Sequence, residues 1–214
     1  LQKAIVTGLP ILIFYAFEPS VMAYPDWDIR HGRFIYQSIL DLQQRYPNLR
    51  ITIFQAEIDA IFQDIQAKFN IKYLFSYEEI GTKASYERDK KIKILCKNQN
   101  ISWHETPTNA VIRGAKNRID WDKHWNNQMY APIIYPDIKH AKTLEYTPPS
   151  VLQPQKAFLD ALSAQNALFQ IGGESKAIQN LSDFLTNRYT QYSKGISKPA
   201  LAQTTCSRLS PYLT

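Results

Sequence analysis

Apolar and polar residues alternate along the chain in blocks whose spacing predicts strands and helices in turn. Residues 10–17, PILIFYAF, form one continuous apolar run, the pattern of a parallel strand buried on both faces. After a loop holding Pro19 and Pro25, residues 27–46 place Ile35, Ile39 and Leu42 at the spacing of an amphipathic helix. Residues 49–56, LRITIFQA, predict the next strand. Ile58, Ile61, Phe62, Ile65 and Phe69 then fall at i, i+3, i+4, i+7 and i+11, which predicts a helix with one apolar face. A third strand is expected over 71–77, a charged helix over 86–100 and a short fourth strand over 101–105.

This alternation predicts βαβ units around a Rossmann-like parallel sheet with flanking helices, an α/β fold. Ligands in such sheets bind beyond the carboxyl ends of the strands, so the loops to watch are 18–25, 56–57, 77–83 and 104–114. Neither GxGxxG nor GxxxxGK[ST] occurs, which argues against a standard dinucleotide or P-loop site and against a Rossmann dehydrogenase. Past residue 115 the pattern changes. Residues 117–132 predict one helix ending near Pro132, and 132–156 hold five prolines without a clear period, as in a linker or extended crossover. PQKAFLDALSAQ carries a short helix signal. Residues 172–192 predict a longer helix with Ala177, Ile178, Leu181, Phe184, Leu185, Arg188 and Tyr192 along one side. Gly172 and Gly173 precede it, and Glu174 sits in its first turn, where a carboxylate favours the helix dipole. The chain shows no internal repeat.

Composition narrows this picture modestly. The 214 residues are 44% hydrophobic, enough for a packed core, and mean hydropathy is −0.35. The longest apolar run, 11–17, is far too short to cross a bilayer. The start has neither Met nor a small-residue cleavage site, and LQKAIVTG resembles the tail of a helix, so the natural N-terminus is expected to lie further upstream. Cys96 and Cys206 suit reduced thiols in a cytoplasmic protein. Without CxxC or HxxxH, no metal site is expected. A net charge of +6 and a pI near 9.2 permit an anionic partner such as nucleic acid. The 13% aromatic content fits stacking on flat ligands and fits a tyrosine-rich core equally well.

Three stretches carry candidate chemistry. In SYEEIGTKASYERD, Glu78 and Glu79 sit at a strand's carboxyl end before Gly81, placed either to bond the edge of a heterocycle or to form a solvated acidic loop. In NAVIRGAKNRIDWDKHW, Trp121 and Trp125 share a helix face, either as a stacking surface or as core anchors. Arg113 and Arg118 are either surface charges or candidate partners for Asp120 or Asp122. The third set is Gly172-Gly173-Glu174, Tyr192 and CSRLSPYL at 206–213. Small hydroxyls, a basic residue and a helix-opening proline there suit a loop that grips phosphate.

Taken in order, SYEEIGTKASYERD, NAVIRGAKNRIDWDKHW, IGGESKAIQNLSDFLTNRYTQY and CSRLSPYL resemble the DNA photolyase/cryptochrome family, and the resemblance covers most of the chain. It implies an α/β antenna domain over 1–130, an inter-domain linker over 131–166 and the beginning of an all-α FAD-binding domain from 167. It implies non-covalent FAD, with Tyr192, Cys206, Ser207, Arg208, Leu209 and Ser210 as the cofactor-binding residues present and no catalytic residue in this stretch. A folate or deazaflavin antenna chromophore is also implied, with Glu78 and Glu79 in the corresponding loop. The activity implied is that of a light-driven carbon–carbon lyase, in which reduced FAD passes an electron to a pyrimidine dimer flipped out of DNA. The alternative is a cryptochrome that signals to a partner protein through flavin redox state. The whole protein would be monomeric. A third reading is a free-standing antenna-like domain binding a nucleotide or pterin.

The sequence also departs from the family. Cys206 stands where many members carry Thr, and a thiol is a poor donor. Ile196-Ser197 stands where many photolyases carry an Arg-Asp pair whose arginine touches DNA phosphate. Lys194 and Lys198 can replace its charge but not its bidentate geometry. The family's first, central strand is expected before Leu1, and the helices that stack on the flavin ring, bind the lesion and hold the electron-transfer tryptophans are expected after Thr214. These 214 residues alone are therefore expected to lack repair activity and tight FAD.

Overall fold

The computed structural model describes residues 1–213. In chain order its main elements are α1 (Gln2–Ile5), β1 (Ile13–Ala16), α2 (Pro19–Met22), α3 (Ile29–Arg45), β2 (Ile51–Phe54), α4 (Ile58–Lys68) and β3 (Tyr73–Tyr77). There follow α5 (Lys83–Asn98), β4 (Ser102–Thr106), α6 (Trp121–Met129), α7 (Lys156–Ser163), α8 (Glu174–Asp183), α9 (Tyr192–Gly195) and α10 (Ala202–Thr205). The class is mixed α and β, with parallel strands. Leu1–Pro25 and Arg50–Pro154 make one compact unit, and Asp26–Leu49 with the chain from Gln155 onward makes a second. The helix α3 thus belongs with the C-terminal helices, although it lies between two strands in sequence.

In the first unit the strands form two parallel pairs, β1 with β2 and β3 with β4. Among the described residues, β1 and β3 have no strand neighbour on their other edges. The continuous apolar run of β1 is accordingly half-buried at every position, where the sequence pattern predicts burial on both faces. The helix α4 serves both pairs. Its Ile61 and Ile65 pack with Phe54, Ala56 and Leu152, while Phe62 packs with Ile92, Cys96 and Ile101. Burying such a side chain contributes about 1.5–3 kcal/mol. The helix α5 starts three residues before its expected position because Thr82 and Ser85 form a reciprocal capping box. Residues 142–152, inside the stretch expected to link domains, are tied to the strands: Leu144 N–H donates to Ile11 O at 2.8 Å, Thr52 Oγ1 to Tyr146 O at 3.2 Å and Gln55 N–H to Leu152 O at 3.0 Å.

In the second unit α3 begins at Asp28, whose Oδ1 accepts the Arg30 N–H at 2.9 Å while its own N–H donates to His31 Nδ1 at 3.3 Å. The helix α7 packs on α3 and supplies Leu162, which is fully buried. Gly172 touches α3 so closely that an added Cβ would fall 2.0 Å from Phe34 O. Its N–H donates to Gln37 Oε1 at 2.8 Å, and Arg45 pairs with Glu174. The single helix expected over 172–192 is instead broken. After α8, Phe184–Arg188 form a π-helical turn in which Tyr189 N–H donates to Phe184 O, and a 3₁₀ turn then leads into α9. Among the described residues no helix is long and apolar enough to cross a membrane.

Candidate functional site

The turn Cys206–Ser210 lies in the second unit, between α10 and the 3₁₀ turn Ser210–Tyr212. Arg208 is left-handed with φ +55°, and Leu209 returns to the right-handed region at φ −89°, ψ −17°. A left-handed residue followed by a right-handed one points successive N–H groups into one concavity, the arrangement called a nest, which suits an anion. The N–H groups of Ser207, Arg208, Leu209 and Ser210 donate to no described residue. Nor do the hydroxyls of Ser207 and Ser210 have a described partner. Ser207 is half-buried and Ser210 exposed, so both are open to a polar ligand.

The carbonyls of the same turn are all engaged. Cys206 O accepts from Arg188 Nη1 at 2.6 Å. Ser207 O accepts from Asn180 Nδ2 at 2.7 Å, and Arg208 O accepts from the same Nδ2 at 3.1 Å and from Gln170 Nε2. Tyr212 fixes the far side of the turn, donating from its hydroxyl to Ile171 O at 2.7 Å and packing its ring 5.2 Å from that of Phe34. Tyr192 opens α9, 39% exposed, with its ring 5.9 Å from that of Phe184. Its helix meets α10 at Gly195, where an added Cβ would fall 1.9 Å from Thr205 Oγ1. Short contact through Gly195 thus brings the helix of Tyr192 against the one that feeds the turn.

A second polar cluster occupies the carboxyl ends of the strands in the first unit, where the predicted loops converge. Arg88 Nη1 donates to Glu18 Oε1 at 2.8 Å, and its other nitrogens reach Asp89 and Glu79. Arg113 donates to Glu78 Oε1 and Glu105 Oε1, both at 2.6 Å. Glu57 accepts from the Ser20 N–H and hydroxyl at 2.7 and 2.8 Å. Burial pushes the Glu18 carboxyl up from its ordinary value, and the Arg88 hydrogen bond and charge only partly offset this. Glu78 and Glu79 are therefore held by arginines and, for Glu79, by the Gly81 N–H at 2.6 Å. Among the described residues no group of three or more His, Cys, Asp or Glu is arranged to hold a metal. A cavity of about 360 Å³ lies away from this cluster, between Gln66 and Ile71 and beside Gln99 and Ile101, at the amino ends of β3 and β4. The charged groups gather at the opposite ends of those strands.

Sequence reasoning places Trp121 and Trp125 on one helix face. Trp121 is 41% exposed, and Trp125 sets its ring 6.0 Å from that of Tyr130. Arg113 pairs with glutamates, whereas the sequence pattern offers Asp120 or Asp122 as its partner. The residues missed from sequence are Arg188, Asn180 and Gln170 around the turn, and Glu18, Arg88 and Asp89 in the strand-end cluster. One signal was present: Arg188 is a charged residue in an otherwise apolar helical stripe. The chain matches no protein-family model and no curated protein.

Proposed function

We propose that the chain belongs to a blue-light flavoprotein of the photolyase/cryptochrome kind and that Cys206–Ser210 grips the FAD diphosphate. The observation that carries this reading is the run of N–H groups from Ser207 to Ser210, which have no partner among the described residues while the carbonyls behind them are held. Ser207 and Ser210 add hydroxyl donors, and the Arg208 guanidinium adds positive charge to the same turn. When bound, FAD supplies the light absorption and the electron that splits a pyrimidine dimer; the protein supplies position and electrostatics. In this reading Tyr192 contributes a further contact to the cofactor.

Two other observations support the same assignment. The edges of β1 and β3 that have no strand neighbour among the described residues suit the further, central strand that the resemblance expects. The strand-end cluster lies where an antenna chromophore is expected, and Glu78 and Glu79 would share their carboxylates with Arg113 and Arg88. A folate or deazaflavin is the proposed ligand there, and DNA containing pyrimidine dimers is the proposed substrate.

One observation favours the signalling alternative. Ile196, at the position of the DNA-contacting arginine, is 55% exposed and presents apolar surface in place of a guanidinium. The deciding experiment illuminates the full-length protein with a dimer-containing oligonucleotide. The repair reading expects bound FAD and light-dependent loss of dimers. Bound, photoreducible flavin without dimer loss would leave the sensor, and absence of flavin from the full-length protein would reject both. For these 214 residues alone we expect no stoichiometric flavin after purification.

A further inference from the structure

The turn's N–H groups have no partner among the described residues, while its carbonyls are held by side chains. Two side chains do most of this holding, and they are linked to each other. Arg188 Nη2 donates to Asn180 Oδ1 at 2.6 Å and to Asn180 O at 3.1 Å, while its Nη1 reaches Cys206 O. With Oδ1 accepting from Arg188, the amide of Asn180 must turn its NH₂ toward Ser207 O and Arg208 O. The π-helical turn at Phe184–Arg188 ends on this arginine. Its side chain is only 12% exposed, and its Nε lies 2.7 Å from Asp183 Oδ2 as an ion pair without an aligned hydrogen bond. A part-buried guanidinium thus fixes an amide, and both fix a backbone turn.

We infer that Arg188 and Asn180 are positioning residues that orient the 207–210 N–H groups for a diphosphate. They act through the carbonyls and do not touch the ligand. The inference rests on the anion-binding reading of the turn given above. It explains why a helix that could run unbroken widens by one residue at Phe184–Arg188: the wider turn accompanies an arginine directed at Cys206 O instead of at solvent.

The test titrates inorganic pyrophosphate into the 214-residue chain and follows the ¹⁵N–¹H signals of Arg208, Leu209 and Ser210. The wild-type signals should shift together and saturate. Asn180→Asp keeps an acceptor for Arg188 but sets a carboxylate oxygen against two carbonyl oxygens. It should weaken pyrophosphate binding by about tenfold or more, the size expected for losing a hydrogen bond of this kind. Lowering the pH should restore binding in this variant relative to wild type, because the protonated carboxyl again donates. Arg188→Lys, with one compact ammonium in place of a planar fork, should weaken binding by a smaller factor. Melting curves check folding, and if Asn180→Asp unfolds the chain, Arg188→Lys decides. Wild-type affinity in the folded variants would overturn the positioning role while leaving the anion site standing. No shift of these amides in the wild type would remove the anion site, and this inference with it.

Discussion

Tyr146 shows how much a single residue can depend on distant partners. Its hydroxyl donates to Asp64 and accepts from Lys68 Nζ at 2.6 Å, and its ring packs 5.8 Å from that of Phe69. The Tyr146 hydrogen bond, with help from Lys68, holds the Asp64 carboxyl below its ordinary value. A carboxylate depressed in the folded state adds stability above its unfolded pKa and loses it as pH falls through the folded pKa. Tyr146→Phe should therefore lower the melting temperature at neutral pH, and the gap from wild type should close in acid. A gap that stayed constant with pH would reject the coupling. Glu18 has the opposite sign. Burial raises its pKa, so its contribution is complete below the ordinary carboxylate range and is lost as pH rises through the folded value. Glu18→Gln should remove that loss, seen as a flatter denaturant midpoint just above the ordinary glutamate pKa.

At the scale of the element, α4 shows a sequence pattern that transfers directly into packing. Ile61 and Phe62 sit at the predicted apolar positions and are buried to 0% and 2% exposure. Ile61→Ala should cost about 2–5 kcal/mol in chemical denaturation, because the cavity between α4 and β2 cannot close fully. The helix expected over 172–192 shows the opposite case. Its periodicity is real, yet Ile178, Leu181 and Leu185 are exposed, and the run changes from α to π and 3₁₀ before α9. Periodicity reports which residues share a face; it does not report where an arginine finds a carbonyl eighteen residues further on. Gly172 is a third case. The sequence marks it as a helix boundary, but the reason for glycine is its contact with α3. Gly172→Ala should destabilise by about 1–3 kcal/mol through overpacking, more if the α3 backbone cannot shift.

At the scale of the whole molecule, the two compact units are not successive segments of sequence. The second needs Asp26–Leu49, since α3 packs on α7 and α8. A fragment of residues 155–214 should accordingly show little stable helix by circular dichroism, and adding a peptide of residues 26–49 should increase the signal. Full helicity without the peptide would show that α3 is dispensable.

Apart from the short α2, expected as loop, the sequence by itself determined the order of strands and helices through residue 106, the faces of α4, the parallel sense of the strands and the hydroxyl-rich turn at 206–210. Those features follow from local periodicity and turn chemistry, which act over a few residues. Only the tertiary structure decided the grouping of α3 with the C-terminal helices, the strand pairing and the tie of 142–152 to the strands. It alone decided the Arg88–Arg113 cluster and the Arg188–Asn180 hold on the turn. Each of these depends on backbone or charged groups brought together across long stretches of chain, and hydrogen-bond direction and burial, unlike periodicity, exist only once the chain has folded.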